Sequence, residues 1–170
     1  MNRTILLWQE KMKNHEVNVK VYLDVCCLCR PFDDQNMNRI HLEAEAIKEI
    51  LVRCTQDWIL VDSDAVSFEI SRIPDRTRMK KAEKLTNLAK EHVKITKTVS
   101  QRYHEFVEMG IDSADALHLA CAESAGAVLL TTDDAIIKVI KRHDSEITIE
   151  VKNPVEWLME MNAHGSKDIE

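Results

Sequence analysis

Glycine and proline are scarce in this chain, three of each in 170 residues, and aromatic residues make up only 5%. With only Gly110, Gly126 and Gly165, no glycine-rich loop exists to cradle a phosphate, which disfavours P-loop and dinucleotide-binding enzymes. So few aromatic rings offer little stacking surface for bases. Positive charge is not in excess either: 23 Lys and Arg stand against 29 Asp and Glu, for a net charge of -6. Any nucleic-acid binding must therefore come from a local basic patch or from bound metal. No stretch approaches the ~20 apolar residues of a membrane span. The apolar run Ile5 to Trp8 after Arg3 is too short for a signal peptide and lacks a small-residue cleavage site. The five cysteines are odd in number and not spaced as a secreted disulfide framework, so the chain reads as a protein of the reducing cytoplasm with no membrane association.

The chain is instead rich in aliphatic residues, with 45% hydrophobic content and enough length for one domain with a substantial core. We place that domain at residues 18–162, after an N-terminal extension at 1–17 and before a frayed tail at 163–170. Val19, Val21, Leu23 and Val25 alternate as a strand, followed by a loop from Cys26 to Asp34. Ile40, Ala44, Ile47, Leu51 and Cys54 recur at helical spacing over about 38–54. Trp58 to Val61 is a short buried strand, and Asp62, Ser63 or Asp64 caps the helix that Pro74 ends. A helix from Arg76 to about Lys90, a strand at Val93 and Ile95, and a helix from a Thr98 cap to Met109 follow. The helix Asp112 to Ala125 stops at Gly126, and Ala127 to Thr131 is a strand. Asp133 and Asp134 open a helix ending near His143; Ile147, Ile149 and Val151 alternate as a last strand, and Asn153-Pro154 starts a final helix to about Met161. Strands alternating with helices predict an α/β fold with a largely parallel sheet covered on both faces. Sites in such folds form beyond the carboxyl ends of the strands.

Four acids fall at such places: Asp24, Glu69, Asp115 and Asp133. Clustered carboxylates at strand ends hold divalent metals for phosphodiester chemistry. Glu69 lies three after Val66 and four before Ile73, on an apolar helix face where an unpaired carboxylate is costly. It can equally be a rim residue paired with Arg72 at i+3. Asp115 sits in a helix apolar almost all round, yet as the third residue after an Asp112 cap it also complements the helix dipole. Asp133 is a metal candidate and a helix cap at once. Asp24, at the end of a β-run, has the fewest ordinary explanations.

Taken in order, the segments Val21 to Asp34, Ser67-Phe-Glu-Ile70, Asp115-Ala-Leu-His-Leu-Ala120 and Leu130-Thr-Thr-Asp133 resemble the signatures of PIN domains, over roughly residues 19–160. The resemblance implies a three-layer α/β/α sandwich with a central, mostly parallel sheet. It also implies a metal-dependent endoribonuclease, including the VapC-like toxins of toxin-antitoxin pairs, that leaves a 5'-phosphate and a 3'-hydroxyl. It assigns Asp24, Glu69, Asp115 and Asp133 to a catalytic site for Mg2+ or Mn2+; Asp112, which is not part of the usual pattern, and Thr132 are read as auxiliary residues beside it. The expected partners are RNA, a small antitoxin protein and a second copy of the chain in a homodimer. One departure is visible: many PIN domains carry a small polar residue soon after the first Asp, where this chain reads Asp24-Val25-Cys26.

Between Arg72 and Lys84 six basic residues outnumber Asp75 and Glu83, and Arg72 and Arg76 are the best placed to guide an RNA backbone past Glu69. The other basic residues read as a solvated helix face. Cys26 and Cys29 have the spacing of a redox pair, so a thiol-disulfide oxidoreductase is an alternative reading, beside buried structural thiols. A catalytically weak PIN-like RNA-binding module is another. His118 reads as a satisfied helix histidine rather than a catalytic base.

Overall fold

A computed structural model describes residues 18–165, so the extension assigned to 1–17 and the tail residues 166–170 lie outside the described residues. Among the described residues, five strands form one parallel sheet: β1 (Lys20–Leu23), β2 (Ile59–Ser63), β3 (Glu91–Val93), β4 (Val128–Leu130) and β5 (Val151–Lys152). Their order is β3-β2-β1-β4-β5, so the chain winds outward on one side of β1 and then returns to build the other side. Tyr22 of β1 is level with Val61 of β2 and Leu129 of β4. Neighbouring residues of a strand point to opposite faces. Val21 and Tyr22 are both fully buried, so both faces of the sheet are covered.

Among the described residues, eight helices supply that cover: α1 (Val25–Cys29), α2 (Asn38–Cys54), α3 (Asp64–Ser71), α4 (Arg76–Thr86), α5 (Lys97–Glu108), α6 (Ser113–Ala125), α7 (Asp134–Lys141) and α8 (Pro154–Gly165). α6 packs on α5 and against β2, β3 and β4, while α2 pairs with α8. Trp58 and Trp157 meet edge to face at 5.1 Å in the core. The expected α/β/α sandwich with a parallel sheet is the fold found, and among the described residues no helix is long and apolar enough to cross a membrane.

Several boundaries differ from the sequence reading. Cys26 to Asp34, expected as a loop, is α1 followed by a 3-10 turn at Arg30–Phe32. Val25, Cys27, Leu28 and Cys29 are all buried, so this helix shows no polar face and therefore no amphipathic period. β3 begins at Glu91 because it is an edge strand paired through its backbone to Val61, Asp62 and Ser63, whereas Ile95 is exposed. α4 stops at Thr86 instead of Lys90. Thr96, not Thr98, caps α5 by accepting from the Val99 amide at 3.3 Å. Ile147 and Ile149 pack on the core without joining β5, and α8 extends past Met161 to Gly165. Gly126 takes the left-handed conformation (φ 65°) that ends α6.

One buried acid ties the outer elements together. Glu43 of α2 is 1% exposed and accepts from Arg39 Nε and Asn153 Nδ2, both at 2.9 Å. Arg30 Nε stands 2.9 Å from its second oxygen but off the hydrogen-bond axis, so that attraction is ionic. Arg39 in turn grips the Asp134 carboxylate with two nitrogens, at 2.7 and 2.8 Å. The 3-10 turn, α2, α7 and the start of α8 thus share one charge network. Truncation that leaves a buried partner unpaired is costly, while the half-exposed Arg39 can resolvate. Glu43→Ala is expected to lower stability by about 3 kcal/mol, read as a drop in urea midpoint with an unchanged slope.

Candidate metal centre

Asp24 is the first residue beyond β1, at the point where the sheet changes winding direction. Binding crevices open at such switch points. Its backbone N–H donates to Leu130 O of β4 at 3.0 Å, and its carbonyl accepts from Cys27 and Leu28 in the first turn of α1. The side chain is 9% exposed. Its Oδ2 accepts from Thr131 Oγ1 at 3.0 Å and from the Cys26 thiol at 3.3 Å. Thr131 also accepts from the Asp133 amide at 3.1 Å, and Cys26 Sγ from the Thr132 amide at 3.4 Å. The end of β4 therefore holds the carboxylate that ends β1. Cys26 thus supplies Asp24 with a second donor beside Thr131. The hydroxyl that reaches Asp24 is that of Thr131; Thr132, the expected auxiliary, contributes its backbone, its carbonyl accepting from Arg39 at 3.3 Å.

Glu69 approaches from α3. Val66 and Ile70 of that helix are buried, and Ser63 caps it by accepting from the Val66 amide at 3.2 Å. The Glu69 side chain is 45% exposed, at the rim as the conservative reading expected, but its partner is not Arg72. His118 Nε2 lies 2.6 Å from Glu69 Oε2, while the Arg72 guanidinium sits over the Phe68 ring. Oxygen and nitrogen atoms of Asp24, Glu69 and His118 lie within 4.8 Å of one another.

Asp115 enters from the first turn of α6. Burial, then the charges of Asp24, Asp112 and Asp133, push its carboxyl up to about 6, against a smaller opposing pull from His118. That mutual repulsion brings Asp115 into the same electrostatic cluster as Asp24 and Asp133. Asp112 and Asp133 each commit one oxygen to capping: Asp112 accepts from the Ala114 amide at 3.0 Å and Asp133 from the Ala135 amide at 2.8 Å. Clustered carboxylate oxygens, one of them on a carboxyl raised to about 6, fit a hard divalent cation such as Mg2+ or Mn2+, whose charge relieves the repulsion.

His118 is the neighbour that sequence reasoning did not join to the site. It is satisfied, as expected, with Nδ1 2.8 Å from Tyr22 Oη and Nε2 on Glu69. Burial alone would lower its pKa, but the Glu69 hydrogen bond and the charges of Asp24, Glu69 and Asp115 outweigh it and raise it above the usual value. The available signal was position: His118 follows Asp115 by three residues on an otherwise apolar helix.

Cys27 and Cys29 lack the character of activated thiols. Burial pushes the Cys27 thiol well up and raises Cys29 even beside Arg78, the reverse of what a nucleophilic thiolate needs. In the basic stretch, Arg78 pairs with Asp33 and Lys81 lies over the Phe32 ring, so both brace the 3-10 turn. Arg72 and Arg76 are exposed.

Residues 21–142, which carry all four acids, match the family model of the PIN domain. The chain belongs to the PIN-domain family. Solved structures share the fold of this PIN domain at low identity. VapBC-1 from nontypeable Haemophilus influenzae is 16% identical with a TM-score of 0.54, covering 80% of this chain and 98% of its own. FitAcB from Neisseria gonorrhoeae is 14% identical with a TM-score of 0.53, covering 79% and 97%. VapBC2 from Rickettsia felis, bound to a DNA fragment from its promoter, is 16% identical with a TM-score of 0.52, covering 79% and 98%. No curated protein sequence matches the chain.

The Asp115 carboxyl carbon is expected to titrate near 6 in the metal-free protein. A raised folded-state value favours the protonated form, so the metal-free PIN domain gains stability as pH falls through about 6 and loses that gain as pH rises again. Carbon-detected NMR reads the midpoint, which Asp24→Asn should move toward the ordinary carboxylate range.

Proposed function

We propose that this PIN domain is a metal-dependent endoribonuclease of the VapC-like toxin kind, with Asp24, Glu69, Asp115 and Asp133 as its carboxylate site. The observation that carries the reading is the convergence of these acids at the switch point beside β1. Bound Mg2+ or Mn2+ would supply Lewis acidity toward the scissile phosphate and toward water. The chain's own contribution is positional. Thr131 and Cys26 fix one oxygen of Asp24, so its carboxylate is oriented before anything binds. The Glu69 side chain is 45% exposed and Asp115 is partly buried, so Glu69 is the more accessible of the two to an approaching backbone. Arg72 and Arg76, exposed on the stretch that follows Glu69, would align phosphates there without reading base identity.

The likenesses to VapBC-1 and FitAcB support the toxin reading and hence a small antitoxin as a partner, alongside a second copy of this chain. The same reading implies the cytoplasm as its place of action.

Asp24→Asn should reduce Mg2+- or Mn2+-dependent cleavage across a panel of RNAs, structured tRNA included. The loss should exceed the roughly 10- to 100-fold that removing an outer-shell partner costs. Full activity in this variant would remove Asp24 from the catalytic site. Each arginine that contacts a phosphate should also contribute about 0.7 to the log-log salt slope of RNA binding. Arg72→Ala and Arg76→Ala should flatten that slope, and an unchanged slope would exclude them from the RNA path.

A further inference from the structure

The hydrogen bond on Glu69 is the last link of a closed circuit. Ser63 begins α3, where its hydroxyl oxygen accepts from the Val66 amide at 3.2 Å. The same oxygen lies 2.7 Å from Tyr22 Oη, Tyr22 Oη lies 2.8 Å from His118 Nδ1, and His118 Nε2 lies 2.6 Å from Glu69 Oε2. Glu69 belongs to α3 again. Ser63, Tyr22 and His118 are all buried, so water does not compete for the bonds among these three.

We propose that His118 is a positioning residue, holding the Glu69 carboxylate toward the metal from outside the coordination sphere rather than binding the ion itself. This rests on the metal-nuclease reading above. Protons decide between the two roles. An ionised carboxylate only accepts hydrogen bonds, so Nε2 must carry the proton on the Glu69 side. If the imidazole is neutral, Ser63 donates to Tyr22 and Tyr22 donates to Nδ1. If it is charged, Nδ1–H donates to Tyr22 and Tyr22 donates to Ser63. Each contact of the circuit has one donor and one acceptor in both cases, and in both cases Nε2 has no lone pair to offer a cation.

Distance agrees. Two ligands at right angles on an octahedral ion with bonds of about 2.1 Å stand about 3 Å apart. The 2.6 Å between Nε2 and Oε2 is a hydrogen-bond separation, tighter than two ligands of one ion adopt. Glu69 needs such help because its side chain is half-exposed and would otherwise sample several rotamers. The carboxylates then make the centre an all-oxygen one, which suits Mg2+ and Mn2+ rather than zinc.

The test uses the full chain, with Mg2+ titrated by calorimetry and thermal midpoints measured in parallel. His118→Ala should weaken Mg2+ binding about 10- to 100-fold, as loss of an outer-shell partner does. His118→Gln, which keeps a donor, should recover part of that affinity, whereas Ala cannot. Tyr22→Phe leaves the core volume intact and removes only the hydroxyl, so it gives a second reading if the alanine variant folds poorly. Two spectra separate the roles in the unaltered protein. The His118 Nε2 proton should persist in 15N NMR at saturating Mg2+, and pulsed EPR of the Mn2+ form should show no directly bound nitrogen. A directly coupled 14N, loss of the Nε2 proton on Mg2+ binding, or unchanged Mg2+ affinity in both His118→Ala and Tyr22→Phe would overturn the proposal. A wild-type protein that binds neither Mg2+ nor Mn2+ would instead bring down the metal-nuclease reading itself, and this role with it.

Discussion

β1 is enclosed on every side: β2 and β4 occupy its two edges, and helices cover both faces. Because it is central and short, its backbone has no freedom to slide, and the residue that follows it is fixed as firmly as the strand itself. That residue is Asp24, whose amide is bonded to β4 and whose carbonyl starts α1. The chain's reversal of winding direction happens beside this strand, so the ends of β1 and β4 and the helix after β2 open onto one crevice. An acid at any other strand end would lack that convergence.

Gathering carboxylates in such a place is unfavourable until something compensates them. Part of the compensation is local. Asp24 takes donors from Thr131 and Cys26, Asp133 and Asp112 take helix amides, and Glu69 takes an imidazole. Asp115 has no such donor among these bonds, and burial followed by the charges of Asp24, Asp112 and Asp133 raises its carboxyl to about 6. The remaining imbalance is what a divalent cation is suited to remove. Cysteine at position 26 thus carries a polar duty despite its usual place among small hydrophobes, while Cys27, Cys54 and Cys121 are ordinary core thiols.

Sequence patterns disclosed the sheet, most helices and the four acids because these depend on local periodicity and capping chemistry. What escaped depends on tertiary contacts. α1 has no polar face to betray it, β3 is held by its neighbour's backbone rather than by its own propensity, and Ile147 and Ile149 alternate like a strand while only packing like one. At the site, the sequence offers Glu69 a pairing with Arg72 three residues on as one of two readings, whereas α6 delivers His118 from 49 residues away. Thr131 and Thr132 are indistinguishable as neighbours in sequence; only strand parity decides which hydroxyl faces Asp24.

Both margins of the sheet are short, three residues in β3 and two in β5. Exposed strand edges are where another chain adds by backbone pairing, and truncated ones offer little template for it. Recognition of this molecule must then fall to side chains, on helical faces or in the crevice. Partner choice would be set by residue identity and could change by point substitution while the scaffold stays the same.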